Sequence, residues 1–518
     1  MDVEEIVLKE RMSIKSGKYN SPRLSEIYFR YKRIKSICVL LLLVILPCET
    51  FSQKNQKLKI IGESIKASDL ERHLNVIAGK EMEGRGVATE GERRAAAYIM
   101  NNFKALGLKP GNNGNYLMPF PLFRDTLINA GIEVNNKKFR WNEDFIADVG
   151  CHTSTLLFDE AVFVGWNKPE ASEKLDLVGR LVITADDPAL YFALNNGAAV
   201  ILMVRSDFKP KENINLRYVY LEQNFRHTTS VVFYTISEEI ASLIMNNTFL
   251  SEADSLQKST FKPTVYKANI KLELHKQTDK VISNNVVGFV EGTDRSDEYL
   301  VLTAHYDHLG KRPNGIVFYG ADDDASGVVS ILEIAEAFVK ARNAGYGPRR
   351  SVVFMTVSGE ERGLWGSGYY NKNPLFPFEK TSVNLNIDMV GRIDPHYKGD
   401  SLNYIYTIGE NMLSSDLQKI TDSVNKEYSK LQIDRKYNDP KDPNRFYYRS
   451  DHYNFAKKGV PIIFYFNGIH GDYHKPSDTP DKINYELMTK RVRLIFYTAW
   501  HIANRDNMLS RDVPLMDQ

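Results

Sequence analysis

The sequence of 518 residues has few cysteines, no excess of either charge and no apolar run of membrane-spanning length. Three cysteines are too few for a disulfide-rich scaffold. Lys and Arg total 67 against 65 Asp and Glu, and no basic stripe is interleaved with aromatic residues, which argues against a nucleic-acid partner. With 43% hydrophobic and 25% charged residues the chain has the composition of a soluble globular protein, and its length favours two domains.

The N-terminal region has the pattern of an export signal. Basic residues precede an apolar run from Ile37 to Leu46, which is short of the roughly twenty residues that a membrane-spanning helix needs. Small residues follow at cleavage spacing, so we expect removal near Ser52 and a mature chain without a membrane span. Three alternatives stay open: Met12 is the true start, Cys48 carries a lipid anchor, or the run is a strand of a folded N-terminal region.

Cleavage at that point has a consequence for cysteine chemistry. It removes Cys38 and Cys48 and leaves Cys151 alone, so no intramolecular disulfide can form in the mature chain. An exported protein without disulfides fits a bacterial envelope better than a disulfide-rich extracellular scaffold. We therefore expect a periplasmic or extracellular location.

Changes in the hydrophobic pattern along the chain divide it into segments. Residues 1-52 form the basic leader and signal peptide, and helical spacing follows in residues 68-108. Residues 124-281 change to short alternating runs with one helix-like piece, which predicts an inserted β-rich domain. The main domain would then consist of residues 53-123 and 282-518.

After Asn284 apolar strands alternate with helices. The predicted strands are Val286 to Val290, Tyr299 to Ala304, Ser351 to Val357, Val383 to Ile387, Tyr404 to Ile408 and Pro461 to Phe466, and the predicted helices are Gly327 to Ala341, Asp416 to Tyr428 and Glu486 to Asn504. This alternation predicts an α/β fold with a mixed, mostly parallel central sheet and helices on both faces.

Candidate metal ligands stand at the ends of these strands. His305, Glu361, Asp388 and His474 each follow a strand, and Asp323 lies in a loop that opens a helix. Ligands bind outside the carboxyl ends of strands in open α/β sheets, so these side chains should converge. Packed carboxylates must protonate or bind cations. Taken singly, each has an ordinary explanation as a helix cap, a surface pair or a loop histidine, but the joint pattern predicts two divalent ions.

Other catalytic signatures are missing. The sequence has no His-Glu-x-x-His helix, no Gly-x-Ser-x-Gly elbow, no phosphate-binding loop and no Cys-x-x-Cys. Serine-nucleophile chemistry and nucleotide binding are therefore set aside.

Five strings together resemble the co-catalytic zinc aminopeptidase family. They are Ala304 to His308, Gly320 to Gly327, Gly359 to Ser367, Asn386 to Gly391, and Tyr473 with His474. The string Glu83-Gly84-Arg85 with its flanking helices looks like the family's N-terminal segment. The insert is similar to a protease-associated domain, on the weaker evidence of Gly179 to Val182 and Gly197 to Val200.

The resemblance implies a division of the ligands between two zinc ions. His305 and Asp388 would hold one ion, Glu361 and His474 the other, and Asp323 would bridge them. Carboxylate and imidazole ligands also accept cobalt or manganese.

The resemblance also implies roles around the metals. Glu360 would be the general base, and Asp307 would orient His305. Tyr473 matches a position that binds the developing oxyanion in some members, although a packing tyrosine is as good an explanation. Asp322 and Asp324 stand where the family usually has Asn, which adds negative charge that could alter metal affinity or amine recognition. With Asp451 they form an outer group of candidate substrate contacts.

The implied activity is an exported metallo-aminopeptidase acting on peptides. Two cations would lower the pKa of a shared water and Glu360 would take its proton. Alternatives are a glutaminyl cyclase-like transferase or a carboxypeptidase on the same fold, and a non-catalytic receptor-like relative, which the presence of all five ligands disfavours. Residue preference, the role of the insert and the oligomeric state are not readable from the sequence.

Overall fold

The structure is a computed structural model. It describes residues 56–148, 150–165, 176–206, 208–209, 217–221, 231–246, 249, 263–439 and 441–515. The predicted export signal and its alternatives at Met12 and Cys48 lie outside these residues. The chain divides into two units, Met1–Ser64 and Ile65–Gln518. The described part of the first unit is helical over residues 56–63.

The second unit alternates helices and strands. Its helices are α1 (Ala67–Ile77), α2 (Glu90–Ala105), α3 (Asp187–Asn195), α4 (Glu238–Ile244), α5 (Gly327–Asn343), α6 (Trp365–Lys372), α7 (Leu417–Val424), α8 (His452–Ala456) and α9 (Tyr485–Ala503). Its strands are β1 (Lys109–Pro110), β2 (Leu117–Val134), β3 (Lys137–Arg140), β4 (Phe145–Ala147), β5 (Ser154–Phe163), β6 (Leu181–Thr184), β7 (Val200–Arg205), β8 (Arg217–Tyr220), β9 (Val232–Ser237), β10 (Thr264–Val290), β11 (Arg295–His305), β12 (Arg350–Val357), β13 (Thr381–Ile387), β14 (Tyr404–Ile408), β15 (Gln432–Asp434) and β16 (Ile462–Phe466). Across the described ranges, no helix is both long and apolar enough to cross a membrane.

The strands form one mixed sheet. Its order is β15-β14-β16-β13-β11-β12-β10-β5-β6-β7-β9-β4, with β1 and β2 pairing beside β10 and with β3 and β8 beside β2. Neighbours β12, β11, β13 and β16 run parallel, so their carboxyl ends meet at one edge. The predicted α/β fold with a mixed, mostly parallel central sheet is confirmed, and the sequence-predicted strands after Asn284 are all present.

Helices cover both faces of the parallel part of the sheet. On one face Phe354 of β12 contacts Phe338 of α5, which also meets Phe496 of α9. The neighbouring residues Val353 and Met355 point to the opposite face and belong to a core that includes α6 and α8. Because both faces are buried, every residue of β12 is buried, which explains the continuous apolar run from Val352 to Met355.

The insert shares the sheet with the rest of the chain. β2 and β10 pair antiparallel from Leu117 with Val286 to Val134 with Ile270, so the predicted boundaries at residues 123/124 and 281/282 fall inside two long strands. The predicted insert nevertheless has its own core, whose buried members all lie between Leu127 and Leu274 and include Cys151. It is richer in helix than the sequence suggested, because α4 follows β9 in addition to the predicted piece at α3.

Candidate metal centre

The sequence-predicted ligands meet at the carboxyl edge of the parallel strands. His305 is the last residue of β11, and Asp388 follows β13, its neighbour in the sheet. Asp323 lies in the turn Ala321–Ser326 that leads into α5. Glu361 follows β12 in the turn Glu360–Arg362, and His474 lies in the segment after β16. Chain topology therefore brings five separated residues together.

The first group of donor atoms surrounds the His305 imidazole. Its Nε2 lies 3.2 Å from Asp323 Oδ1, 3.6 Å from Asp388 Oδ1 and 3.9 Å from Glu360 Oε2. His305 is buried, so these carboxylates meet its ring away from bulk water. An imidazole facing three carboxylate oxygens is a donor set for a divalent transition metal.

The second group uses the other oxygen of Asp323. His474 Nε2 lies 3.1 Å from Asp323 Oδ2 and 3.0 Å from Glu361 Oε2. Ligands about 2.0–2.1 Å from a tetrahedral zinc ion lie roughly 3.3 Å apart, so the spacings in both groups fit the group that the resemblance implies. The carboxylate of Asp323 lies between the two histidines, with one oxygen toward each.

The electrostatics of the site favour bound cations. Burial raises the pKa of Glu360 and of Asp324 well above the usual range, and it raises the pKa of Asp307 to about 6. Burial also raises the pKa of Asp451 to about 7. Each shift reports the cost of ionising a carboxylate out of water beside other acids, and a cation removes that cost.

Asp307 holds the turn that carries the two glutamates. Its Oδ1 accepts a hydrogen bond from the backbone N–H of Glu360 at 3.2 Å, and its Oδ2 accepts one from Glu361 at 3.4 Å. The predicted contact with His305 is made chiefly by the backbone: His305 Nδ1 lies 3.1 Å from the Asp307 carbonyl oxygen and 3.7 Å from Oδ1. Asp307 therefore positions Glu360 and Glu361 as well as the imidazole.

Asp324, the residue after Asp323, accepts hydrogen bonds from three backbone amides. Its Oδ1 accepts from the N–H groups of Gly327 at 2.9 Å and Met389 at 3.1 Å, and its Oδ2 accepts from the N–H of His305 at 3.1 Å. These bonds connect the helix start to the ends of β11 and β13. Its carboxylate is fully buried, so it supports the ligand loops from within.

Asp322 is also fully buried and has a different set of partners. Its Oδ1 accepts from the N–H of Gly391 at 2.7 Å, and its Oδ2 lies 3.2 Å from His470 Nε2. The negative charge of Asp322 therefore faces the imidazole of His470, a residue that the sequence reasoning did not single out.

Asp451 and its neighbour Ser450 lie under the first donor group. Ser450 Oγ donates to Asp388 Oδ2 at 2.6 Å and so orients that ligand. Asp451 Oδ1 accepts a bond of 2.5 Å from Ser367, while its buried Oδ2 has no hydrogen-bond partner among the described residues. Sequence reasoning placed Asp451 in the outer group and missed Ser450, whose only signal was its position beside Asp451.

His308 is a further residue to which sequence reasoning assigned no role. It is fully buried, and its Nδ1 lies 2.7 Å from Glu361 Oε1 and 3.9 Å from Asp323 Oδ2. Neither ring nitrogen has a geometrically aligned hydrogen-bond partner among the described residues. A Cβ at Gly320, which has φ +56, would lie 2.5 Å from the ring, so this glycine allows the ring to enter the site.

Arg85 supports the site from behind as a fully buried cation. Its guanidinium donates to the carbonyl oxygens of Tyr306 at 2.7 Å and Gly320 at 2.8 Å. It also donates to the carbonyls of Ile77 at 2.9 Å and Tyr319 at 2.7 Å. Burial lowers its pKa, but Asp323 and the other nearby acids oppose that shift. This arginine of the Glu83-Gly84-Arg85 string therefore connects two loops of the site.

An open cavity with a volume of about 40 Å³ lies against the first donor group. It is lined by Asp323, Glu360, Asp388, Met389, Phe446, Arg449, Ser450, Phe464, Phe466, Ile469 and Tyr473. Tyr473 stacks on the His474 ring at 3.9 Å between centroids, and burial raises the pKa of its phenol well above the usual range. The lining of the cavity thus combines candidate metal ligands with mostly apolar side chains.

Comparisons with known proteins identify the domain that carries this site. Residues 285–499 match the model of Peptidase family M28, so this part of the chain is an M28 domain. A probable zinc metalloprotease of Leptosphaeria maculans is 34% identical over 113 residues, which are 21% of this chain and 24% of that protein. A probable leucine aminopeptidase of Arthroderma otae is 27% identical over 214 residues, which are 40% of this chain and 55% of that protein. The chain therefore spans about a quarter and about half of the length of these curated relatives.

A solved structure shows the same fold over most of the chain. An aminopeptidase from Aneurinibacillus sp. strain AM-1 superposes with a TM-score of 0.54. The match covers 88% of this chain and 99% of that chain, at 19% identity. The likeness establishes the fold.

Proposed function

We propose that this chain, which carries a Peptidase family M28 domain over residues 285–499, is an exported, zinc-dependent aminopeptidase that removes N-terminal residues from peptides. The observation that carries the proposal is the position of Asp323, whose two oxygens face His305 at 3.2 Å and His474 at 3.1 Å. This arrangement suits two ions. His305 and Asp388 would hold one ion, and Glu361 and His474 would hold the other.

The chain's own residues then have separate tasks. Bound zinc supplies a Lewis acid that lowers the pKa of a water and polarises a peptide carbonyl. Glu360 accepts the proton of the attacking water and returns it to the nitrogen of the leaving amine. Its place 3.9 Å from His305 and in the wall of the cavity supports this role. Asp307 fixes the turn on which Glu360 stands.

The shape of the cavity supports cleavage next to a chain end. It is small, and its apolar part offers Met389, Phe464 and Ile469 to one side chain of a substrate. Relatives named probable leucine aminopeptidase agree with an apolar N-terminal residue. Zinc in particular is supported by a relative named zinc metalloprotease and by the imidazole and carboxylate donors.

Replacing Glu360 with Gln tests the proposed base. The Gln side chain keeps the shape but cannot accept the proton, so turnover of an aminoacyl reporter should fall by about 10²–10⁴-fold while the metal content stays near two ions. Glu361→Gln is the matched control, because it should lose metal as well as activity. An active Glu360→Gln variant, or a purified chain without metal, would remove the basis of the proposal.

A panel of substrates separates the alternatives. Peptides with a free amine, including N-terminal glutaminyl peptides, should be cleaved, whereas the same peptides with an acetylated amine should not. Cleavage of blocked peptides from their C-terminus would indicate a carboxypeptidase, and ring closure of glutaminyl peptides would indicate a cyclase. N-terminal sequencing of the mature protein tests export, with a start near Ser52 expected.

A further inference from the structure

One cationic side chain stands among the cavity-lining residues. Arg449 follows the turn Phe446–Tyr448 and is exposed. The acids that line the same cavity, Asp323, Glu360 and Asp388, belong to the first donor group. An arginine beside several carboxylates would ordinarily form an ion pair with one of them, so the partners of Arg449 indicate whether its charge is already used.

Arg449 is not paired with any of these acids. Its Nη2 donates to the Tyr473 hydroxyl at 3.4 Å, and its guanidinium carbon lies 4.9 Å from the centre of the Phe446 ring. No carboxylate of the described residues forms an ion pair with it. A guanidinium has five N–H donors, so several remain available at a surface open to the cavity. The phenol and the aromatic ring fix its position without neutralising it.

We propose that Arg449 binds a carboxylate of the peptide substrate. This inference rests on the proposed function of the same cavity. The acids of the site would otherwise repel a negatively charged substrate, and a guanidinium is the group best suited to bidentate binding of a carboxylate. Two sources carry this chemistry: the C-terminal carboxylate of a dipeptide, and the side chain of an acidic N-terminal residue.

Kinetics with paired substrates distinguish the two sources. Leucyl-leucine is compared with leucyl-leucinamide, and glutamyl p-nitroanilide with glutaminyl p-nitroanilide. We expect kcat/KM to favour the charged member of one pair by about tenfold, and Arg449→Gln to bring that ratio close to one. Arg449→Lys should retain part of the preference. Arg445→Gln is the matched control, because Arg445 is also exposed but lies over Tyr448, and it should leave both ratios unchanged.

Binding measurements test the role of Arg449 without depending on catalytic turnover. Calorimetry with the metal-loaded Glu360→Gln protein measures the affinity for leucyl-leucine and its amide, and for glutamate and glutamine amides, whether or not the chain is an aminopeptidase. Adding Arg449→Gln to this background should weaken binding of the charged ligand alone. Equal losses for charged and uncharged ligands, or no loss for either, would overturn the proposal. Failure of the native protein to cleave any free-amine peptide would overturn the proposed function instead.

Discussion

The Nδ1 atom of His308 lies 2.7 Å from Oε1 of Glu361, while the other oxygen of that carboxylate lies 3.0 Å from Nε2 of His474. Each of the two carboxylate oxygens of Glu361, a proposed metal ligand, therefore faces one of the two imidazoles. Both nitrogens of His308 lack an aligned hydrogen bond among the described residues. The ring can therefore donate a lone pair to a metal ion, or donate a proton to Glu361.

His308→Ala should weaken binding of the ion held by Glu361 and His474. Loss of a residue that orients a ligand typically costs 10–100-fold in metal affinity, so about one ion per chain should be lost in dialysis against graded chelator, read by elemental analysis. His308→Asn is the control, since its amide nitrogen takes the place of Nδ1 and should keep most of the affinity. Two tightly held ions in His308→Ala would contradict this role.

The burial of Glu333, outside the candidate metal centre, predicts that the stability of the fold depends on pH. This residue is buried on α5 beside His73, whose Nε2 lies 3.6 Å from Glu333 Oε1. Burial raises the pKa of Glu333 from 4.5 to about 8. Between these values the unfolded chain releases the proton that the folded chain keeps, so the free energy of unfolding falls as pH rises from about 4.5 to about 8.

Glu333→Gln should remove this fall in the free energy of unfolding with rising pH. The free energy of unfolding of the variant relative to the native protein should increase by on the order of 2–4 kcal/mol across that pH range and stay constant above it. The measurement is the difference in Tm between the two proteins from pH 5 to pH 9. Glu336→Gln, one turn along on the more exposed side of α5, should show a much smaller trend, because Glu336 is only one of the charges that raise the pKa of Glu333. A difference that does not vary with pH would show that Glu333 is ionised in the folded protein.

Strand ends were the part of the site that sequence could predict. His305, Asp388 and His474 follow apolar runs long enough to be identified as strands, and parallel neighbours must bring such residues to one edge. Asp388 was informative because an acid after a fully buried strand needs a partner. The assignment of these residues to two ions remains a prediction.

The sequence did not reveal which way a buried side chain points. His305 and His308 differ by three positions, and nothing in the string distinguishes their roles before the path of the loop is known. The domain boundary at residues 123/124 remains a prediction. It lies inside β2 because composition indicates which core a residue joins, while β2 runs from one core to the other without interruption. Helix α8 was missed because five residues carry too little periodicity.

The two acids on either side of Asp323 should respond differently to replacement with Asn. Asp324 accepts three backbone N–H bonds through both oxygens, so an amide group there must turn its own N–H toward one donor. Asp322 accepts one N–H through Oδ1, and its Oδ2 faces His470, where the N–H of Asn can donate to a neutral ring.

We therefore expect Asp324→Asn to lower the free energy of unfolding by about 1–3 kcal/mol, the usual effect of leaving a buried donor unpaired, and Asp322→Asn to lower it by less than about 1 kcal/mol. Because the Asp324 bonds connect His305 to Met389, Asp324→Asn should also weaken the ion held by His305 and Asp388. Thermal unfolding and metal content of the two purified variants, measured side by side, check both parts. Equal destabilisation by the two changes would mean that charge at this turn, and not the count of backbone amides, decides its stability.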